Sequence, residues 1–120
     1  MLLIDNPAGV GFSTGKRLSD ISANDQSGAN DLLNFMILFY ADFPELKKNP
    51  LYISGISYGG IYAPLLAWHI HKYNLEKDLF GEATQLIPLK GFIVENAVTD
   101  YRSDPHIHSM EMLYAFNLIP

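Results

Sequence analysis

The 120-residue sequence contains no cysteine, no long basic run and no long apolar run. Without cysteine there is neither a disulfide framework nor a thiolate metal site, and nothing here indicates the redox compartment. The longest basic cluster is the pair Lys47 and Lys48, and the formal net charge is −5, so we expect no nucleic-acid partner. The apolar residues 1–4 are followed by Asp5, too short a run for a membrane span or for the core of a signal peptide.

What the sequence does contain is enough apolar surface for a packed core. Hydrophobic residues make up 48% of the chain and aromatic residues 12%, which is typical of a globular domain and not of a disordered one. Short apolar runs alternate with stretches of helical periodicity. Strands are predicted at residues 1–4, 51–54 and 89–95, and helices at 22–40, with Ser22 or Asn24 as the N-cap, 60–73 and 109–116.

This alternation predicts an α/β fold. Strands that are separated by helices of about ten or more residues are joined by crossover connections, which produce a mostly parallel sheet covered on both faces. Ligands of such sheets bind beyond the carboxyl ends of the strands. The loop at residues 6–11 follows one of these ends, so it either walls a binding cleft or contains its glycines for turn geometry alone.

A five-residue motif, Gly55-Ile56-Ser57-Tyr58-Gly59, matches the G-x-S-x-G pattern of a nucleophile elbow. In that motif the glycines permit a strained turn that lifts the serine hydroxyl above the sheet. Three fixed positions match many proteins by chance, but here a predicted strand precedes the motif and a predicted helix follows it. The helix N-terminus also favours negative charge near Ser57. The alternative is a plain serine in a glycine-rich turn.

The chain also offers candidates for the other members of a catalytic triad. In α/β-hydrolases the acid and the histidine follow the serine along the chain. Asp100 or Asp104, followed by His106 and His108, have this order, although their segment is also typical of a solvated loop. Two histidines without a clear third ligand do not predict a metal site.

Three segments resemble consecutive parts of the serine carboxypeptidases, namely "IDNPAGVGFS", "FPELKKNPLYISGISYGGIYAPLLA" and "KGFIVENAVTD". The resemblance extends from Leu2 to about Asp100 with the spacing intact. Members of this family are α/β-hydrolases that remove C-terminal residues from peptides, typically at acidic pH in secreted, vacuolar or lysosomal settings. The resemblance implies that Ser57 is the nucleophile and that the backbone N–H of Tyr58 forms half of the oxyanion hole.

The sequence departs from the family pattern beside the nucleophile and beyond both ends. Ile56 stands where the family usually has glutamate, and Glu95 stands where it usually has glycine. In members of the family, the glycine-rich oxyanion loop precedes the segment that corresponds to residues 1–4. The catalytic Asp and His follow the position that corresponds to Pro120. We therefore expect residues 1–120 to be a fragment of a single catalytic domain, with an incomplete α/β-hydrolase fold.

The resemblance implies a serine-type carboxypeptidase that cleaves peptide substrates through an acyl-enzyme on Ser57 and needs no metal or organic cofactor. The isolated chain is expected to be inactive because its triad is incomplete. The family's glutamate at the Ile56 position helps to hold the terminal carboxylate of the substrate, so isoleucine predicts weaker recognition of free C-termini. An esterase or acyltransferase on the same scaffold and a non-catalytic truncated homologue are the alternatives, and the sequence leaves the oligomeric state open.

Overall fold

The computed structural model describes residues 1–17, 21, 24–100, 102, 104 and 109–120. Two strands, three α-helices and two short 3₁₀ helices lie within these residues. In chain order they are α1 (Asp25–Asp42), a 3₁₀ helix (Pro44–Lys48), β1 (Leu51–Ile56), α2 (Gly59–Leu79), a 3₁₀ helix (Ala83–Gln85), β2 (Leu89–Glu95) and α3 (Ser109–Ala115).

The two strands form a parallel pair, and α2 is the crossover helix that connects them. Ile53 pairs with Phe92, and Ile56 pairs with Glu95, so both strands end at the same edge. The predicted α/β class, with a parallel sheet and a crossover helix, is confirmed.

The core lies between the two long helices and extends to one face of the sheet. Its buried residues are Leu32, Met36, Tyr40, Leu66, Ile70 and Ile87. Leu32, Met36 and Tyr40 recur every four residues of α1 and so face α2 together. Burial raises the pKa of the Tyr40 hydroxyl, because the ionised phenolate is disfavoured away from water.

Helix α1 begins with a capping box centred on Asn24. The side-chain oxygen of Asn24 accepts a hydrogen bond from the Ser27 N–H at 2.9 Å, and Ser27 Oγ accepts one from the Asn24 N–H at 2.9 Å. Such a pair satisfies two backbone donors that the helix itself leaves unpaired. The prediction of Asn24 as N-cap is confirmed, whereas Ser22, the other candidate, lies outside the described residues.

One predicted strand is absent, and several predicted bounds are shifted. The first helix ends at Asp42 instead of near residue 40, and β1 ends at Ile56 instead of at residue 54. Residues 1–4 form no strand, and the Leu3 side chain is 81% exposed. A strand needs a hydrogen-bonded neighbour, and within the described part of the chain β1 pairs with β2 alone. Helix α2 continues to Leu79 instead of ending near residue 73. Its last turns contain Leu75, Glu76 and Lys77, which all favour a helix.

Only one face of the sheet is covered among the described residues, and α2 covers it. The other face exposes apolar side chains, with Tyr52 at 59%, Ile56 at 65% and Ile93 at 58%. The prediction of cover on both faces is therefore not met within the described part of the chain. No helix in that part is both long enough and apolar enough to cross a membrane.

Candidate active site

Ser57 occupies the turn between β1 and α2 in a strained backbone conformation. Its φ angle is 58°, in the left-handed region. A residue with a Cβ atom pays about 1–2 kcal/mol to adopt this conformation. Strain of this kind concentrates at functional sites, and a sharp strand-to-helix turn is what a nucleophile elbow requires.

The backbone of Ser57 is held by the end of β2 and the start of α2. Its N–H donates to the Glu95 carbonyl at 3.0 Å, and its carbonyl accepts from the N–H groups of Gly60 at 3.0 Å and Val98 at 2.9 Å. Asn96, at the end of the neighbouring strand, also has a left-handed φ of 44°. These three bonds fix the strained turn and leave the side chain of Ser57 exposed. Its Oγ has no hydrogen-bond partner among the described residues.

Two glycines at this turn are required by close backbone packing. A Cβ atom on Gly55 would collide with the carbonyl of Gly59, and one on Gly60 would lie 2.5 Å from both Ala97 Cβ and the Val98 carbonyl oxygen. A Cβ atom on Gly59, in contrast, would meet no described atom within 4 Å. The sequence motif includes Gly59 and omits Gly60, so the pattern alone missed the glycine against which the segment after β2 packs.

Tyr58 links the Ser57 turn to the N-terminus of α1. It is the N-cap residue of α2, and its hydroxyl donates to both carboxylate oxygens of Asp25, at 3.1 and 3.3 Å. Its ring meets the edge of the Tyr62 ring at a centroid distance of 5.0 Å. Asp25 was not among the predicted site residues, because it lies 33 positions from Tyr58 and no local spacing connects the two.

The electrostatics of the turn favour a developing negative charge. Helix α2 is 21 residues long, has no acidic residue in its first turn, and begins two residues after Ser57. The partial positive charge at a helix N-terminus stabilises an anion there by about 0.3–1 kcal/mol at exposed positions. The backbone N–H of Tyr58 lies in this region of positive charge. A donor to an oxyanion beside Ser57 would have to lie there as well.

Ile56 and Glu95 lie side by side at the ends of the two strands. They are register partners, and both are exposed. Paired residues of a parallel sheet have their side chains on the same face, so this edge presents an apolar group next to a carboxylate, immediately before Ser57.

The candidate acids of an internal triad, Asp100 and Asp104, make hydrogen bonds within a local turn. One carboxylate oxygen of Asp104 accepts from the N–H groups of Thr99 at 2.7 Å and Asp100 at 3.1 Å, and the Asp100 carboxylate accepts from the Arg102 N–H at 3.0 Å. The two candidate histidines, at positions 106 and 108, lie outside the described residues. The described residues include no cluster of three or more His, Asp or Glu side chains that could bind a metal ion.

The loop at residues 6–11 is closed by Asp5, whose carboxylate accepts from the Phe12 N–H at 2.9 Å. Gly9 and Gly11 both have left-handed φ angles, of 96° and 55°. These glycines are thus needed for turn geometry, and the role of the loop as a cleft wall stays a prediction.

An open depression of about 450 Å³ lies at the other end of the strands. Trp68 and His71 of α2 and Leu89 and Phe92 of β2 line it. Because Leu89 is the first residue of β2 and Ser57 follows the last residue of β1, this depression is remote from the Ser57 turn.

The strand, the strained serine and the following helix together define part of an α/β-hydrolase fold. A family model described as serine carboxypeptidase matches residues 1–119, and the chain belongs to this family of serine-type peptidases. Over 118 residues the chain is 36% identical to serine carboxypeptidase 1 of Hordeum vulgare, an alignment that covers 94% of the chain and 23% of that protein.

Two further relatives have higher identity over shorter alignments. Serine carboxypeptidase-like 26 of Oryza sativa subsp. japonica is 43% identical over 101 residues, which cover 83% of the chain and 20% of the relative. Serine carboxypeptidase-like 41 of Arabidopsis thaliana is 47% identical over 80 residues, which cover 67% of the chain and 17% of the relative. The chain thus spans about a fifth of the length of the curated relatives that it matches.

Proposed function

We propose that residues 1–120 form the central part of the catalytic domain of a serine carboxypeptidase, which releases C-terminal residues from peptides. The observation that carries this proposal is the left-handed backbone of Ser57, which lies between β1 and α2 and is held by hydrogen bonds with Glu95 at the end of β2, Gly60 of α2 and Val98. The family match over residues 1–119 supports the reaction class.

In the proposed acylation step, Ser57 Oγ attacks the carbonyl carbon of the scissile peptide bond. A histidine from outside this chain accepts the hydroxyl proton, as a serine without a base is a weak nucleophile. The carbonyl oxygen becomes an oxyanion and accepts a hydrogen bond from the backbone N–H of Tyr58. A second donor comes from a loop outside this chain. The preorganised donors and the α2 N-terminus stabilise this charge.

Collapse of the intermediate breaks the C–N bond and leaves an acyl-enzyme ester on Ser57. The histidine returns its proton to the leaving amine, which departs as the released C-terminal amino acid. Water then attacks the ester with the same histidine as base, and the shortened peptide leaves with a new carboxylate. The proposed mechanism uses no metal or organic cofactor. The resemblance suggests a secreted, vacuolar or lysosomal setting.

One observation favours a second candidate, an esterase or acyltransferase on the same scaffold. Ile56 is 65% exposed beside the nucleophile and can neither donate nor accept a hydrogen bond. A site with this residue would not hold a free substrate carboxylate as a glutamate would, so selection for C-terminal peptides would be weaker.

The proposal is tested with the full-length protein that carries this chain. Peptides with free C-termini and matched esters are incubated with it, and mass spectrometry follows the release of single C-terminal residues. Stepwise release that Ser57→Ala abolishes is the expected result. Turnover of esters without release of C-terminal residues would favour the second candidate, and no turnover of either substrate would indicate a non-catalytic homologue.

A further inference from the structure

Glu95 lies beside the turn that holds Ser57, although it takes no part in the chemistry proposed above. It is the last residue of β2, and its carbonyl accepts the hydrogen bond of the Ser57 N–H at 3.0 Å. Adjacent strands lie about 4.8 Å apart, so its side chain begins one strand spacing from Ile56 and close to Ser57. Ligands of open parallel sheets bind at this edge.

The carboxylate of Glu95 has no partner in the described part of the chain. The residue is exposed and lies on the uncovered face of the sheet, together with Ile56. A structural carboxylate is normally paired with a cation or a backbone N–H, as Asp104 is with the N–H groups of Thr99 and Asp100. Among the described residues, Glu95 therefore presents an unpaired carboxylate close to Ser57.

The two neighbouring side chains complement one kind of substrate residue. Ile56 offers exposed apolar surface, and Glu95 offers a negative charge beside it. Lysine and arginine have an apolar stem and a cationic head, so their stems can pack along Ile56 while their heads meet the carboxylate. A neutral residue of the same length would make only the first of these contacts.

We propose that Glu95 is a specificity-determining residue that selects substrates with a lysine or arginine next to the scissile bond. This inference rests on the proposed function, because it concerns the substrate of the same serine. It goes further in naming the charge of the substrate residue and the side chain that recognises it.

The test compares kcat/KM of the full-length protein on matched peptide pairs, lysine against norleucine and arginine against citrulline, on each side of the scissile bond. The expected result is a preference for the cationic residue at one of the two positions. Because exposed ion pairs contribute little, Glu95→Gln should reduce this preference about twofold to fivefold. Raising the salt concentration should weaken the preference of the unmutated protein as well.

Glu45→Gln is the matched control, because Glu45 is exposed in the 3₁₀ helix that precedes β1, at the far end of the strands. It removes the same charge and should leave the preference unchanged. The inference is overturned if Glu95→Gln leaves the preference intact, if Glu45→Gln lowers it equally, or if the unmutated protein prefers the neutral residues. Glu95→Gln could instead abolish only an acid-dependent preference for free C-termini. A protonated Glu95 would then be donating a hydrogen bond to the substrate carboxylate, which also contradicts the proposal. Absence of turnover on every peptide would show instead that the proposed function has failed.

Discussion

Alanine at Gly60 should damage the protein far more than alanine at Gly59, although only Gly59 belongs to the G-x-S-x-G pattern. A methyl group on Gly60 would lie 2.5 Å from Ala97 Cβ and from the Val98 carbonyl oxygen. Carbon atoms in contact are ordinarily about 3.5–4.0 Å apart, so the segment after β2 must retreat by about 1 Å. That retreat would stretch the 2.9 Å hydrogen bond from the Val98 N–H to the Ser57 carbonyl.

The free energy of unfolding should reflect three effects. Overpacking at Gly60 costs about 1–3 kcal/mol, and loss of the Val98 hydrogen bond costs about 1 kcal/mol. The higher helix propensity of alanine offsets these costs by about 1 kcal/mol. The net destabilisation for Gly60→Ala is therefore about 1–3 kcal/mol. Gly59→Ala keeps only the propensity effect, so it should be neutral or stabilising by up to about 1 kcal/mol.

Urea unfolding of the full-length protein and its two variants measures this difference, and the turnover of an activated ester reports the state of the Ser57 turn. Gly55→Ala serves as a second case, because its methyl group would collide with the Gly59 backbone. Equal destabilisation by Gly59→Ala and Gly60→Ala would refute the packing argument, as would a neutral Gly60→Ala.

Three further predictions concern specificity, completeness and pH. Ile56→Glu should strengthen the preference for free over amidated C-termini, by about 10- to 150-fold if a full hydrogen bond to the charged carboxylate is regained. Measurements of kcat/KM across pH on both kinds of peptide test this prediction. A strong acid-dependent preference already present in the unmutated enzyme would contradict it. The isolated 120-residue chain should hydrolyse neither peptides nor esters and should unfold without cooperativity, since one face of the sheet has no cover among the described residues. A sharp melt of a soluble, active monomer would disprove this. Burial raises the pKa of the Tyr40 hydroxyl. The contribution of Tyr40 to the free energy of unfolding is therefore complete below the ordinary tyrosine pKa of about 10, and it is lost as the pH rises through the pKa of the folded state. Tyr40→Phe should therefore flatten the fall in stability above about pH 10, and identical pH profiles of urea midpoints would argue against it.

The elements with strong local signals were predicted well. The apolar run of β2 is bounded by Pro88 and by Asn96, which has a left-handed backbone, and its observed limits, Leu89–Glu95, equal the predicted ones. Asn24, one of the two predicted caps, is the observed N-cap, and such a cap can be predicted because it depends on residues three positions apart. Residues 1–4 were predicted incorrectly, since an apolar run forms a strand only beside a partner, and the described residues supply none.

The motif located Ser57 at the turn but not the residues that hold the turn. Gly60 packs against Ala97, which is 37 positions away, and Tyr58 donates to Asp25 from 33 positions away. Glu95 becomes a neighbour of Ile56 only through the strand register. The Gly60 and Glu95 contacts depend on how the chain crosses from β1 to β2, and the Tyr58 hydrogen bond depends on how α1 packs against α2. No periodicity or spacing within one segment specifies them.

The most direct test of the central claim is covalent labelling of the full-length protein with a fluorophosphonate probe, followed by proteolysis and mass spectrometry. Such a probe reacts with a serine whose hydroxyl is activated by a base and faces an oxyanion hole. We predict an adduct on Ser57 that is lost in Ser57→Ala and after heat denaturation. No adduct on the native protein, or an adduct on another serine with peptidase activity that survives Ser57→Ala, would contradict the assignment of Ser57 as the nucleophile.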